Sequence, residues 1–290
     1  MDEQNRRNQQ PDSDIMVKVD GLYYTYADGT QALRGIDLEI KKGEKVAIMG
    51  SNGSGKSTFF LNLNGVFRPQ KGNISINGKP LDYSKKGLLE VRRQVGIVFQ
   101  DPDNQLFSAS VTQEISFGVL NLGFPKEEVR EKVDQIMDEL HITEFKDKPT
   151  HFLSGGQKKR VAIADVLVMQ PSIVILDEPA SALDPKHARM IDEIVDELSR
   201  SGITVLLSTH DVERALIWAD KIVLFDEGKV LKEGKPEEIF FDEALLEKTN
   251  LEKPSVLKIY DGLIKEGLLP KGACMPKTAE ELITLFVNTK

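Results

Sequence analysis

The chain has 290 residues, 40% of them hydrophobic, a formal net charge of −8 and a single cysteine, Cys274. That length suits one full-sized globular domain with an appendage, and one thiol excludes an intrachain disulfide framework. The acidic balance argues against duplex DNA as a partner, because affinity there rests on Lys and Arg neutralising phosphates. No apolar run has the length a bilayer demands, so direct membrane insertion is not expected and any membrane association has to come through another protein.

Residues 1–14 are polar and lack the apolar stretch of a secretory signal, so they read as a disordered lead and export is not expected. From Ile15 to Ile40 short alternating segments, punctuated by Asp20-Gly21 and Asp28-Gly29, read as antiparallel strands. Val46 to Met49 reads as a buried strand that runs into Gly50-Ser51-Asn52-Gly53-Ser54-Gly55-Lys56-Ser57, which fits the phosphate loop G-x-x-x-x-G-K-[ST]. Glycines let successive N–H groups converge on a phosphate, and a helix starting near Lys56 aims the positive end of its dipole at the same anion. Lys56 then neutralises phosphate oxygens and Ser57 offers a hydroxyl to Mg²⁺. Thr58 continues into a helix read as amphipathic through Phe59, Phe60, Leu61 and Leu63. A glycine-rich turn with a chance lysine is the competing reading, and the strand before it leaves that little weight.

Asn73 to Ile76 with Asn77-Gly78 gives a strand and turn, and Val95 to Phe99 a further strand ending at Gln100. Between about 101 and 160 the periodicity becomes helical, most clearly through Val129, Val133, Ile136, Met137 and Leu140. Leu153-Ser154-Gly155-Gly156-Gln157 opens another helix, where Ser154 is a natural N-cap and two glycines expose N–H groups suited to a second anion site. Ile173 to Leu176 then delivers Asp177 and Glu178 to the C-terminal edge of a buried strand, the edge at which open α/β sheets bind ligands. One carboxylate suits Mg²⁺ and the next a water in line with the γ-phosphate. Thr204 to Leu207, followed by His210, and Ile222 to Phe225 complete a set of nearly unbroken apolar strands alternating with helices, hence a parallel sheet covered on both faces. Past Phe240, short helices broken by Pro254, Gly262, Gly267 and Pro270 read as an accessory domain, with a cap on the same core as the alternative; Thr278 to Glu281 has the form of a capping box. His141, His151 and His187 receive no role.

In that order the phosphate loop, Gln100, the Leu153–Gln157 segment, Asp177-Glu178, Ser181-Ala182-Leu183-Asp184 and His210 resemble the landmarks of the ATP-binding-cassette (ABC) ATPases, over about residues 15–234. The resemblance implies an α/β fold, a RecA-like P-loop core with an antiparallel β subdomain and a helical subdomain (about 101–160) in a cassette of residues 15–240, followed by a helical C-terminal extension at 241–290. It implies ATP as ligand, with Tyr26 as the aromatic stacked on adenine; Tyr24 competes for that role. ATP and its phosphates fall to Gly50, Ser51, Asn52, Gly53, Ser54, Gly55, Lys56, Ser57 and Thr58, with Ser154, Gly155, Gly156, Gln157 and Asp184 contributed across a dimer. Mg²⁺ falls to Ser57, Gln100 and Asp177, and catalysis to Glu178, His210, Lys56 and Gln100. In the family two subunits pack head to tail, so the Ser154 loop of one closes over ATP held by Lys56 of the other.

Gln100 to Phe107, Tyr26 to Thr30 and Leu61 to Gly65 are similar to the energy-coupling factor (ECF) importers, and among these to the cobalt-type (CbiO) subfamily. That implies an ATPase on the cytoplasmic side of the cell membrane, dimeric with itself or a related ATPase, driving cobalt uptake through membrane-embedded transport and substrate-binding subunits. Nickel or a vitamin is the alternative cargo. A soluble cassette ATPase acting on nucleic acid or ribosomes is the rival class; it is disfavoured by the lack of sustained heptads between Ser57 and Leu153 and by the single set of motifs.

Overall fold

The computed structural model describes residues 14–289. The polar lead read at residues 1–14 therefore lies outside the described residues except for Asp14. Strands β1 (Ile15–Thr25) and β2 (Gln31–Lys41) open the chain, β3 (Lys45–Met49) leads into α1 (Lys56–Leu63), and β4 (Lys71–Ile76) and β5 (Lys79–Pro80) precede α2 (Lys85–Gln94) and β6 (Val95–Val98). The helical region comprises α3 (Val111–Asn121), α4 (Lys126–Glu139) and α5 (Gly155–Leu167). Then come β7 (Ile173–Asp177), α6 (Pro185–Arg200), β8 (Thr204–Ser208), α7 (Val212–Trp218), β9 (Lys221–Asp226) and β10 (Lys229–Gly234). The tail holds α8 (Pro236–Phe240), α9 (Glu243–Thr249), α10 (Ser255–Lys265) and α11 (Ala279–Asn288).

Two sheets result: an antiparallel one in the order β2-β1-β4-β5, and a larger one in the order β10-β9-β3-β8-β7-β6, parallel except for β10. Asp20-Gly21, expected as a turn, is instead a register irregularity inside β1, which continues past it to pair with β2 as far as Thr25. Asn77-Gly78 does turn, both residues at positive φ, between the paired strands β4 and β5.

Alternation along the parallel strands explains why they read as unbroken apolar runs. Ala47, Met49, Val174, Leu176, Val205 and Leu207 join one buried cluster with the helical region, whereas Val46, Ile48, Ile173, Ile175, Leu206 and Val223 join another with α1 and the antiparallel sheet. Helix α1 is wrapped more completely than an amphipathic pattern implies, since Lys56, Thr58 and Asn62 are buried along with Phe59, Phe60 and Leu63. The tail's Leu245, Leu257, Tyr260 and Leu282 belong to the same buried cluster as the sheet face, so it packs as a cap on that core. Thr278 caps α11 through the Glu281 N–H, but the Glu281 carboxylate accepts from Lys277 and so the reciprocal box does not close.

Register fixes where the motifs meet. Val98 pairs with Leu176, Asp177 with Ser208, and Ser208 with Ile48, so β6, β7, β8 and β3 end level with one another. Gln100, Glu178, His210 and Gly50 thus leave the sheet at a single edge.

Candidate active site

After Met49 the chain bends through Gly50 to Gly55 before α1 begins. Gly50 has φ 140° and a Cβ there would fall 2.1 Å from the Phe225 carbonyl oxygen; Gly55 has φ 107° and a Cβ there would fall 2.7 Å from the Ala32 carbonyl oxygen. No L side chain fits either position, and the loop is wedged between β9 and β2. No side chain caps α1, so its first N–H groups remain for an anion.

The loop borders a cavity of about 550 Å³ whose wall includes Tyr26, Asn52, Gly53, Gly55, Lys56, Ser57, Thr58, Gln100, Asp177, Glu178 and His210. The Lys56 ammonium donates to the carbonyls of Gly50 at 2.6 Å and Ser51 at 3.0 Å. Burial lowers its pKa, with the carboxylates of Glu178 and Asp177 opposing. Ser57 Oγ donates to Asp177 Oδ2 at 2.7 Å, which puts a hydroxyl and a nearly buried carboxylate together at the end of β7.

Glu178 follows with φ 47°, a left-handed conformation costly for a side chain of its size. Burial chiefly raises its pKa to about 7; Asp177 and Asp211 add to the rise while Lys56 and Lys159 oppose it. His210 Nε2 lies 3.2 Å from Glu178 Oε1 and 3.2 Å from Asn52 Oδ1, and burial, followed by the Lys56 charge, lowers the imidazole pKa. A carboxyl that titrates near neutrality beside an imidazole biased to its neutral form is suited to handling a proton.

Tyr26 and Tyr24 separate clearly. The Tyr26 ring reaches the cavity, and its hydroxyl is tied to Thr58 Oγ1 at 2.7 Å, whereas Tyr24 stacks on Phe67 with centroids 4.7 Å apart and planes at 10°. Gly50, Ser51 and Ser54 complete the loop behind this wall, the Ser54 carbonyl accepting from Gly228 N–H.

The remaining expected residues lie elsewhere. Ser154, Gly155, Gly156 and Gln157 form the start of α5 and do not border the cavity; Ser154 and Gln157 make a reciprocal capping box. Asp184 caps α6 by accepting from the N–H groups of Lys186 and His187, and it also contacts His187 Nδ1 at 2.5 Å. His187, given no role from sequence, packs against Gly156. The sequence also gave no warning of Arg34, Glu227 and Gly228, which line the cavity because Arg34 N–H bonds to the Gly228 carbonyl at 2.7 Å and draws the turn after β9 against β2.

Residues 33–181 match the ABC transporter family. An energy-coupling factor transporter ATP-binding protein EcfA of Methanocaldococcus jannaschii is 48% identical over 88% of this chain and 91% of its own length, and EcfA3 of Clostridium perfringens 47% identical over 88% and 92%. Among solved structures, cbiO1 of Clostridium perfringens, described as part of the ABC transporter complex cbiONQ, superposes with a TM-score of 0.72 at 47% identity over 86% of this chain and 99% of that one. The ATP-binding cassette MJ0796, solved as a dimer in a post-hydrolysis state with ADP and Pi, has a TM-score of 0.70 at 31% identity over 76% and 99%. Fold and phosphate loop together define a P-loop ATPase of the cassette type. The chain belongs to the ABC transporter family and, within it, to the ATP-binding proteins of energy-coupling factor transporters.

Proposed function

We propose that two copies of this chain, or one copy and a related ATPase, pack head to tail around ATP on the cytoplasmic face of the membrane and power cobalt uptake through membrane-embedded subunits. One observation carries the reading: Lys56, Ser57, Asp177, Glu178 and His210 share one cavity, while the Ser154 loop of the same chain lies off it and stays available to a second subunit. Lys56 and the start of α1 take the phosphates, Tyr26 the adenine, Glu178 orients and deprotonates the attacking water, and His210 donates toward the γ-phosphate. The Ser57–Asp177 oxygen pair suits Mg²⁺, with Gln100 as a further oxygen donor; the ion would neutralise phosphate charge there. Hydrolysis removes the shared γ-phosphate charge and loosens the pair.

Support for a membrane subunit comes from the segment after Gln100. Phe107 is 67% exposed and meets Phe117 edge-on at 4.9 Å, beside Leu120, along an apolar groove. Among the described residues no helix is long and apolar enough to cross a membrane. Support for cobalt comes from the cbiO1 relative of the cbiONQ complex. Among the described residues no group of three or more His, Cys, Asp and Glu is placed to hold a metal ion, and the reading assigns cargo recognition to a membrane partner.

The test is uptake of radioactive Co²⁺, Ni²⁺ and a labelled vitamin by cells carrying the chain with the membrane proteins that co-purify with it. Cobalt uptake lost in Glu178→Gln, with ATP binding retained, is the expected outcome. Uptake of another cargo alone would overturn the cobalt assignment, and undiminished ATP turnover in Glu178→Gln would overturn the site assignment.

A further inference from the structure

Lysine is almost never fully buried unless something holds its charge. Lys159, the fifth residue of α5, is 3% exposed. Its ammonium donates to the Gln100 carbonyl and, at 3.4 Å, to the Glu178 carbonyl, with the charges of Asp101, Asp177 and Glu178 close by. These contacts bring three elements together. Gln100 begins the loop after β6, Glu178 the turn after β7, and α5 carries the Ser154–Gln157 capping box on its first turn.

The neighbouring contacts stiffen the same junction. Lys158 pairs with Asp103 at 2.5 Å in the Gln100 loop, and Gln105 Nε2 donates to the Ala162 carbonyl of α5 at 2.9 Å. The Glu178 turn is pinned from both ends of its peptide units: its N–H donates to the Ser208 carbonyl at 3.2 Å, and its own carbonyl accepts from the Ser181 N–H at 3.1 Å and from Lys159. A residue kept at positive φ depends on such over-determination, and of these three contacts Lys159 is the one that reaches the Glu178 turn from α5.

We propose that Lys159 is a positioning residue through which α5 holds the Gln100 loop and the Glu178 turn. The inference rests on the head-to-tail reading above. There it has a specific consequence: engagement of the Ser154 loop by ATP on the opposite subunit is transmitted through α5 to the carboxylate and glutamine of the chain's own ATP site. Lys159 does not border the cavity.

The experiment measures ATP turnover by the full chain, assembled with its membrane subunits, for Lys159→Met, Lys159→Arg and Glu178→Gln, with thermal unfolding and nucleotide affinity of each. Lys159→Met is expected to lower kcat on the order of tenfold with the KM for ATP kept within about threefold, since the lost contacts orient reacting groups and do not bind ATP. Lys159→Arg, which keeps charge and donors, is expected to recover most of that loss. A folded Lys159→Met with unchanged kcat, or one whose loss lies wholly in KM, overturns the proposal, as does Lys159→Arg equal to Met at wild-type stability. Should Lys159→Met fail to fold, Lys158→Met decides: it removes the partly exposed pair with Asp103 at the same junction, and kcat falling about twofold or more at unchanged unfolding temperature and KM supports the coupling while unchanged kcat overturns it. Glu178→Gln with full turnover would remove the underlying site reading; Glu178→Gln inactive beside a fully active Lys159→Met would remove this inference alone.

Discussion

Replacing Tyr26 by Ala distinguishes two aromatic residues that the sequence leaves in competition. The Tyr26 ring borders the cavity and is 36% exposed, so it is free to take a base on its face; Tyr24 spends its face on Phe67. Loss of one base–aromatic stack is worth roughly 1–3 kcal/mol, about 5- to 150-fold in affinity. Tyr26→Ala is therefore expected to weaken ATP binding by that factor, and to lower the unfolding temperature less than Tyr24→Ala does, through the lost Thr58 bond and the edge-on contacts with Tyr24 and Phe67. Tyr26→Phe keeps the ring and loses the bond to Thr58 Oγ1, whose net value of about 0.5–1.5 kcal/mol limits the effect to roughly tenfold or less. Tyr24→Ala should behave in the opposite way, with stability lowered by about 2–4 kcal/mol through the lost ring packing and affinity for ATP retained by the folded fraction. The assay is equilibrium binding of a fluorescent ATP analogue beside calorimetric unfolding. Wild-type affinity in Tyr26→Ala, or a greater loss of affinity in Tyr24→Ala at full folding, would refute the reasoning.

Two further outcomes follow from crowding and from charge burial. A Cβ on Gly156 would lie 2.6 Å from His187 Cδ2, and the imidazole is held by Asp184, so Gly156→Ala is expected to cost about 1–3 kcal/mol by overpacking, read as a fall in unfolding temperature that His187→Ala in the same chain largely restores; an equal fall in both backgrounds would exclude the clash. Burial raises the Asp165 pKa to about 7, so ionisation opposes folding: stability present at pH below about 4 is lost as pH rises through 7. Asp165→Asn should consequently raise the unfolding temperature relative to wild type by several degrees at pH 8.5 and by much less at pH 5, and equal shifts at both pH values would show that burial of the charge is not the cause.

Sequence was most informative where chemistry is local. The phosphate loop, the capping serine at Ser154 and the carboxylates at Asp177 and Glu178 each occupy a few consecutive residues whose backbone demands, such as glycine at Gly50 and Gly55, are visible as residue types. Apolar runs announced the parallel strands because a strand covered on both faces needs no polar alternation. Pattern was weaker where two conformations share one signal: Asp20-Gly21 satisfies a turn and a strand irregularity equally, and only pairing of β1 with β2 on both sides of it chose the second. The amphipathic reading of α1 also underestimated its burial, because Thr58 pairs with the Tyr26 hydroxyl at the cavity wall and Asn62 donates to the Thr58 carbonyl one turn back in the helix.

By itself the sequence pointed to a nucleoside triphosphate and to the short segments expected to handle it, since those segments carry their constraint in their own residues. Only the tertiary structure decided which side chains share a cavity. The level ends of β3, β6, β7 and β8 put Gln100, Glu178 and His210 beside Lys56, one hydrogen bond from Arg34 to Gly228 closed the far wall, and burial of Lys159 tied α5 to both loops. These are contacts between residues far apart in the chain, selected by register and packing across the whole sheet, and no local pattern encodes them.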